Sequence, residues 1–351
     1  MNNKDGFNVE GNAILGGIDV FLKGKKNYKD KSKYISKYNL SAKIDENDIE
    51  KSINSKSLTS EKLSVQSYIK GPIELKATYF IFQNNKEIIK TSNNLKETEI
   101  NIPALGIIKN KGTDAVADID FSFSKQKLNE IKIINFKEGG TEINGLIKLS
   151  KEFKPYKSLE LNLTKNDKKI NIVVLRNKNL NNLDLKGDYF DFSKSLKETF
   201  FEKQKEDSFL IQLQPVNINL KAKEILVAEE KSIYDVDATL KYENKLFKSA
   251  KLSSTLNNDK TFDLSINPKA SSRELIINSN DAGLFLKTFN INKSGKGGEF
   301  VLHGTYDDLK ETHPLNSSVT IRNMRLIKAP TLAKILNLAS IGIVSALSGE
   351  G

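Results

Sequence analysis

The sequence contains no cysteine, no tryptophan and only two histidines among its 351 residues. Without cysteine the chain can form no disulfide, no thiolate nucleophile and no thiolate metal site. The histidines, His303 and His313, stand ten residues apart, one in a predicted strand and one in a predicted loop. A metal site needs more ligands at closer spacing. We therefore predict no metal site, no cofactor and no catalytic residue, and interpret both histidines as ordinary surface or strand residues.

Two short motifs resemble catalytic signatures but lack residues that those signatures need. SGKGGEF, which begins at Ser294, lacks the upstream glycine and the Lys-Ser/Thr pair of a phosphate-binding loop. It also lacks the aspartate of a diguanylate cyclase signature. The acidic pair of DYFDF, Asp188 and Asp191, fits a turn and the wet side of a strand better than the two converging carboxylates of a glycosidase. We predict that the protein is not an enzyme.

The charge balance is basic but evenly spread. The formal net charge is +11, from 55 basic and 44 acidic residues. Such a charge would suit nucleic acid or an anionic lipid surface. The acidic residues are interleaved with the lysines, and Lys, Asn and Ile are frequent throughout, which indicates a compositional bias of the whole chain. We therefore predict no nucleic-acid partner.

The N-terminal residues show no targeting segment. MNNKDGFNVEGNAILGGIDVFLKG has no basic region followed by a continuous apolar run, and residues 13–22 already alternate like a strand. The absence of a visible signal or anchor predicts either a soluble cytoplasmic protein or a piece of a longer one.

The dominant pattern is an alternation of apolar and polar residues with a period of two. Successive side chains of a strand point to opposite faces, so each such segment has one apolar side and one polar side. The pattern predicts on the order of fifteen to twenty strands separated by turns. Four segments supply the candidate apolar face: Ile119, Phe121 and Phe123; Leu159, Leu161 and Leu163; Val236, Ala238 and Leu240, with Tyr234 before them; and Phe262, Leu264 and Ile266.

These apolar faces must be removed from water, because exposure costs about 25 cal/mol per Å². A second sheet could cover them in a sandwich, and a closed barrel could hide them inside. A long sheet folded into a trough would hide them only in part and would need an apolar guest or short helices. No long helical pattern separates the strands, so a parallel βαβ architecture is not expected.

Two short amphipathic helices are predicted near the C-terminus. In NSNDAGLFLKTFNI, Asn280 is the predicted N-cap, and Ala282, Phe285, Leu286 and Phe289 share one face. The second helix is predicted over residues 330–347. A transmembrane span would need about 20 apolar residues, more than this run supplies. We expect the second helix to lie on a membrane, or to cover the sheet with four side chains pointing into it: Leu332, Leu336, Ala339 and Ile343.

The segment from Val216 to Gly351 resembles the C-terminal region of AsmA-like proteins, most closely the YhdP type. The resemblance runs through LKAKEILVAEEKSIYDVDATL, LIINSNDAGLFLKTFNI, GGEFVLHGTYDD and IRNMRLIKAPTLAKILNLASIGIVSALSGEG. Its order and spacing are more specific than any single piece. The positions that match the family pattern are Asp281, Ala282 and Gly283; Gly297, Gly298 and Gly304; and Ala329 and Pro330.

The resemblance implies an all-β, mainly antiparallel fold in which a long twisted sheet curls into a hydrophobic groove. We predict a repetitive antiparallel sheet segment over residues 1–200 and, from the resemblance, an AsmA-like C-terminal region over 201–351 that is truncated at its end. Such proteins are anchored in the inner membrane of Gram-negative bacteria, cross the periplasm and are implicated in phospholipid transport to the outer membrane. The implied partners are phospholipid and a membrane surface.

The chain departs from that family in lacking the N-terminal anchor and in being much shorter. It therefore resembles a fragment, for which the remaining part of a split parent protein would be a further partner. An alternative function follows from the strand-like pattern at the start of the sequence and its abrupt stop at Gly351, which predict unpaired sheet edges. As a structural or interaction fragment, the sheet would pair edge to edge with another polypeptide and have no independent activity.

Overall fold

A computed structural model describes residues 6–15, 18–27, 34–55, 68–102, 107–125, 127–150, 156–193, 213, 215–257 and 259–326. The chain divides into two compact units, Met1–Asp167 and Lys168–Gly351, here called unit 1 and unit 2. The boundary near residue 200 that the family resemblance implies stays a prediction. Strands dominate both units, and the expected all-β, mainly antiparallel class is confirmed.

Unit 1 is built from twelve strands and one helix. Nine of the strands form an antiparallel ladder in the order β1-β2-β3-β5-β6-β9-β10-β11-β12. The other three form a small sheet, β4-β7-β8. The bounds are β1 Gly6–Leu15, β2 Ile18–Asn27, β3 Ser36–Ile44, α1 Glu46–Ser55, β4 Ile69–Lys70, β5 Ile73–Ile81, β6 Lys86–Asn94, β7 Glu99–Ile102, β8 Ile107–Lys109, β9 Ala115–Ser124, β10 Lys127–Glu138, β11 Thr141–Lys148 and β12 Ser158–Lys165.

Helix α1 was not predicted from the sequence. Its N-terminus is capped by Asp45, whose Oδ1 accepts hydrogen bonds from the backbone N–H groups of Asn47 at 2.9 Å and Asp48 at 3.0 Å. The side chain of Glu46 accepts a hydrogen bond from the backbone N–H of Gly71 at 2.8 Å, which ties the start of the helix to the segment before β5.

A β-bulge in β10 keeps most apolar side chains of this strand on one face where the sequence departs from strict apolar–polar alternation. The segment IKIINF places two isoleucines side by side, and the register shifts between Ile133 and Phe136 against both neighbouring strands. Phe136 therefore stays on the same face as Ile133 and is buried, whereas Ile134 is exposed. The extra residues of a bulge allow the chain to keep one face apolar despite an irregular sequence.

Unit 2 is built from eleven strands and one helix. Nine strands form the ladder β13-β14-β15-β16-β17-β18-β19-β21-β22, in which β14 and β15 are parallel and all other neighbours are antiparallel. Strands β20 and β23 form a separate pair. The bounds are β13 Lys168–Leu175, β14 Asn181–Asp191, β15 Val216–Ala228, β16 Lys231–Glu243, β17 Leu246–Asn257, β18 Lys260–Pro268, β19 Ser272–Ser279, α2 Ala282–Thr288, β20 Gly295–Lys296, β21 Glu299–Asp307, β22 Leu315–Arg322 and β23 Arg325–Leu326.

The alternation predicted for β16 is wrong at Tyr234. Asp235 has a positive φ of 50°, and the register with β17 shifts between Tyr234 and Asp237. The irregularity moves Tyr234 to the exposed face and places Ile233, which is 3% exposed, in the core with Val236. A positive φ is unusual for a residue other than glycine and is best tolerated by Asp or Asn.

Helix α2 confirms the first predicted helix and corrects its N-cap. The cap is Asp281, whose Oδ1 accepts a hydrogen bond from the backbone N–H of Leu284 at 2.9 Å. Asn280, the predicted cap, instead accepts a hydrogen bond from the backbone N–H of Thr261 at 2.8 Å and so links the helix entry to β18. The second predicted helix lies outside the described residues. Within the described part of the chain, no helix has the length and apolar character needed to span a membrane.

Candidate functional site

Apolar side chains continue in register across all nine strands of the unit 1 ladder. Residues that stand directly opposite each other in adjacent antiparallel strands project to the same face. Two complete rows of partners run from β1 to β12, and together they define the unit 1 apolar face. The rows are Gly11, Leu22, Leu40, Ala77, Thr91, Ile119, Ile133, Gly145 and Leu161; and Val9, Gly24, Tyr38, Tyr79, Ile89, Phe121, Ile131, Ile147 and Leu159.

The predicted lipid-facing residues of β9 and β12 lie on or beside these rows. Ile119 and Phe121 stand in the two rows on β9, and Leu161 and Leu159 end them on β12. Phe123 follows one position outside the second row, opposite Glu87. Leu163 stands opposite Ile143. The structure thus brings all six predicted side chains of unit 1 to one face, on strands that are not adjacent in sequence.

Strand β6 places two polar side chains on this face, one in the first row and one next to it. The backbone of β9 satisfies the hydrogen-bonding groups of both. The hydroxyl of Thr91 donates to the carbonyl of Ile119 at 3.0 Å, and the amide of Asn93 donates to the carbonyl of Ala117 at 2.8 Å. A buried polar group without a partner would be costly, whereas a bonded one is tolerated. The apolar face therefore crosses β6 with the polar groups of Thr91 and Asn93 hydrogen-bonded.

Most of the unit 1 apolar face is only half-buried. Along the second row the side chains from Tyr79 to Leu159 are partly exposed on every strand, and no residue of this row is fully buried. The opposite face is mainly polar, with single exposed apolar residues such as Phe21 and Ile134, and carries exposed ion pairs such as Lys23 with Glu10 at 3.0 Å. Exposed pairs of this kind add little stability. The unit 1 ladder therefore has one mainly polar face and one apolar face whose side chains remain partly accessible to solvent.

One rim of the apolar face is covered. This rim carries the ends of β6 and β10 and the starts of β5 and β9, and the small sheet is inserted next to it by connections from β6 to β9. The apolar side chains gathered there are buried: Ile73, Leu95, Ile100, Ile107 and Ala115 are 6% exposed or less. Lys109 is fully buried and donates hydrogen bonds to three backbone carbonyls, those of Lys96 at 3.2 Å, Thr98 at 2.6 Å and Asn110 at 3.0 Å.

The opposite rim of the face is polar and aromatic. The hydroxyl of Tyr79 donates to the carboxylate of Glu87, and burial together with that carboxylate raises the pKa of Tyr79 above its ordinary range. Two phenylalanines of the same rim, Phe80 and Phe82, stack at 6.3 Å; Phe80 stands opposite Lys37 and Ile88, so it projects to the other face of the ladder. The rim therefore combines aromatic rings with polar ends, in contrast to the buried rim.

The predicted lipid-facing residues of unit 2 lie mostly in a closed core. Val236, Ala238, Phe262 and Ile266 are between 1% and 5% exposed, and helix α2 packs over them. The ring of Phe285 on α2 contacts Phe262 at 5.3 Å between centroids. Leu240 and Leu264 are half-buried, but they pack against the same core cluster. The same alternating pattern thus produces a covered face in unit 2 and an accessible one in unit 1.

The family-motif residues that the structure describes build the seat of helix α2. Ala282 and Gly283 donate backbone hydrogen bonds to the carbonyls of Gly298 and Gly297, at 2.8 and 3.0 Å. A side chain on Gly283 would meet the backbone of Gly295 at 2.6 Å, so only glycine allows this approach. Gly304 lies in β21 against the side chain of Leu315. The remaining sequence-predicted residues, Ala329, Pro330, Leu332, Leu336, Ala339 and Ile343, lie outside the described residues.

A buried charge cluster in unit 2 was missed by the sequence reasoning. Arg273 on β19 is 1% exposed; it donates three hydrogen bonds to the carboxylate of Asp308 and one to the carbonyl of Phe247 at 2.8 Å. Its guanidinium lies 4.5 Å from the ring centre of Tyr306. The ring of His313 contacts the same carboxylate at 3.0 Å. An arginine in an apolar strand was the only available signal, because the other members of the cluster are 26 to 40 residues distant.

Arg273 keeps the carboxylate of Asp308 ionised. Burial by itself would raise the pKa of Asp308, but the hydrogen bonds and charge of Arg273, with a smaller contribution from His313, outweigh it and hold the pKa below its ordinary value. Burial raises the pKa of Tyr306 strongly, so its hydroxyl stays protonated. Every charged member of the cluster has a partner inside it, which is typical of a structural network.

The other residues weighed as catalytic candidates are engaged in exposed local contacts. Asp188 accepts hydrogen bonds from Lys223 and from the backbone N–H of Lys169, and these hold its pKa below the ordinary value. Asp191 accepts a hydrogen bond from Ser193. His303 contacts Glu274 at 2.9 Å. Over the residues that the structure describes, no three metal-binding side chains converge.

Comparison of the chain with family models, with curated proteins and with solved structures found no match.

Proposed function

We propose that the protein is a non-enzymatic lipid-binding module that contributes to phospholipid transport between the inner and outer membranes, with the unit 1 apolar face as its lipid-contacting surface. The observation that carries this proposal is the pair of apolar rows in register across nine strands, half-buried on every strand of the second row. The sequence resemblance to AsmA-like proteins supports the same function.

The dimensions of the face suit acyl chains. Adjacent strands lie about 4.8 Å apart, so a row over nine strands is about 38 Å long. A bilayer's hydrocarbon core is about 30 Å thick, so each leaflet's tails occupy about half of that. A row could therefore hold two tails end to end. Each methylene group moved from water onto this surface contributes about 0.8 kcal/mol, and no catalytic residue is needed. Curling of the sheet around the tails into a groove is part of the proposal.

The test is to purify the chain from bacteria under mild conditions and to extract it for mass spectrometry. We expect phospholipid to be recovered with the folded wild-type protein and to be reduced in a double variant, Ile119→Ser with Ile131→Ser, on the apolar face. The matched control is Val116→Ser with Ile134→Ser, which changes exposed apolar residues of the same two strands on the opposite face. Folded wild-type protein without any lipid, or equal loss in both variants, would contradict the proposal.

A second candidate function is edge-to-edge pairing with another polypeptide. Strand β1 pairs only with β2 among the described residues, and its ten residues contain no proline and no lysine, the residues that commonly protect an edge. Such an edge can accept a further strand. The remaining part of a split parent protein would be a suitable partner. Light scattering of the purified chain over a range of concentrations tests this candidate. A chain that stays monomeric throughout needs no partner strand, which would contradict it.

A further inference from the structure

The two rims of the unit 1 ladder carry different balances of charge among the described residues. One rim is formed by the ends of β2, β5, β9 and β11, the starts of β3, β6, β10 and β12, and the turns that join them. We call it the lysine rim. Its described lysines are Lys25, Lys26, Lys37, Lys86, Lys125, Lys127, Lys148 and Lys157, and its described acidic residues are Glu87 and Glu130.

The opposite rim has the reverse balance. It carries the starts of β2 and β5, helix α1, the small sheet and the turn between β10 and β11. Acidic side chains outnumber lysines there among the described residues, and they include Asp19, Asp45, Glu46, Asp48, Glu74, Glu97, Glu99, Asp114, Glu138 and Glu142. Lysines occur at both rims, as a compositional bias of the whole chain would produce, and the difference between the rims lies in the acidic residues. The folding of the ladder therefore sorts charge that is interleaved in the sequence.

Several lysines of the rim have no ion-pair partner among the described residues. Lys25, Lys86 and Lys125 are exposed, and none of them forms an ion pair with any described residue. Lys25 stands directly opposite Lys37 in the register of β2 and β3. Like charges in opposed positions are unfavourable, so the arrangement gains stability from an external anion.

The rim is also aromatic and adjoins the unit 1 apolar face. On the face opposite the unit 1 apolar face, the ring of Tyr34 packs edge-on against Phe80 at 5.7 Å, and the ammonium of Lys37 lies 5.7 Å from the same ring. Phe7, at the start of β1, is 45% exposed. Lysines that surround aromatic and apolar side chains are typical of surfaces that rest in the head-group region of a bilayer.

We propose that the lysine rim docks unit 1 onto the surface of an anionic bilayer, with the lysines contacting lipid phosphates. This docking would bring the edge of the apolar face that borders the lysine rim to the membrane. The inference goes beyond the proposed lipid-contacting function. Vesicle binding is measured separately from lipid extraction, so either can fail while the other holds.

The experiment is co-sedimentation of the full chain with phosphatidylcholine vesicles, with and without phosphatidylglycerol. We expect binding only when phosphatidylglycerol is present, and we expect salt to weaken it. Each lysine near an anionic surface contributes about a fivefold change in affinity. The triple variant Lys86→Gln, Lys125→Gln, Lys148→Gln should therefore bind about 100-fold more weakly. The same three lysines changed to arginine should bind like the wild type.

The matched control removes the same charge from the opposite rim, with Lys43→Gln, Lys111→Gln and Lys165→Gln, all exposed. We expect this variant to bind like the wild type. Equal loss in both glutamine variants, no loss in either, or equal binding of the wild type to vesicles without phosphatidylglycerol would overturn the proposal. Binding of duplex DNA as tight as that of anionic vesicles, lost in the same rim variant, would overturn it in favour of a nucleic-acid surface.

Discussion

Arg273 and Asp308 form a buried ion pair that joins strand β19 to the turn after β21. The guanidinium Nε lies 2.9 Å from one carboxylate oxygen of Asp308, and Arg273 is 1% exposed whereas the side chain of Asp308 is 19% exposed. A buried arginine left without its carboxylate would be an uncompensated charge in the core of unit 2, so the pair links the stability of the core to one turn.

Replacing Asp308 with asparagine is expected to destabilise unit 2 by about 3 kcal/mol, because one member of a buried pair is lost. The measurement is urea unfolding followed by circular dichroism. The control is Asp307→Asn, which affects a more exposed carboxylate paired with Lys310 at 3.5 Å and should change stability by less than about 0.5 kcal/mol. Equal effects of the two substitutions would show that burial of the pair has no energetic importance.

The same pair predicts a pH dependence. The pKa of Asp308 is lower in the folded protein than in the unfolded chain, so the unfolded state binds the proton more readily. The stabilisation by Asp308 is therefore fully present above about pH 4, its ordinary pKa, and is lost as the pH falls through the folded pKa. We expect the stability difference between wild type and Asp308→Asn to shrink as unfolding is measured at progressively lower pH below that value. A difference that stays constant there would contradict the assignment.

Gly283→Ala tests the close approach of helix α2 to the backbone of β20. Alanine is a better helix former than glycine by about 1 kcal/mol. Its Cβ would lie 2.6 Å from the carbonyl group of Gly295 and from Cα of Lys296, and overpacking of this kind costs about 1–3 kcal/mol. We expect a net loss in thermal stability. Lys287→Ala, on the exposed side of the same helix, should be neutral or slightly stabilising. A stabilising Gly283→Ala would mean that the helix can move away from β20.

The different coverage of the two apolar faces predicts different costs for truncation. Ile266→Ala in the closed core of unit 2, where Ile266 is 1% exposed, should cost about 2–5 kcal/mol. Leu161→Ala on the half-buried face of unit 1 should cost clearly less, because part of its surface already contacts water. Urea unfolding of both variants gives the comparison. If Leu161→Ala proves as costly as Ile266→Ala, the unit 1 face is covered in solution.

Local chemistry in the sequence determined which residues form strands and which side of each strand is apolar. The period of two in ADIDFSFS and LELNLT predicted the side chains that the structure brings to one face, because side-chain direction depends on the strand backbone alone. The same reasoning located helix α2. It misplaced the cap by one residue, because both Asn280 and Asp281 can cap a helix and only the position of β18 decides between them.

The tertiary structure decided which apolar faces are covered, since coverage depends on elements distant in the sequence. Phe121 and Phe262 have the same local pattern, yet only Phe262 is packed beneath a helix. The bulge at Asp235 redirects Tyr234, and the partnership of Arg273 with Asp308 spans 35 residues. Neither has a local signature, because a register shift and a long-range ion pair both arise from the alignment of neighbouring strands. The excess of lysines over acidic residues at one rim has the same origin, since folding the ladder brings every second turn to the same side.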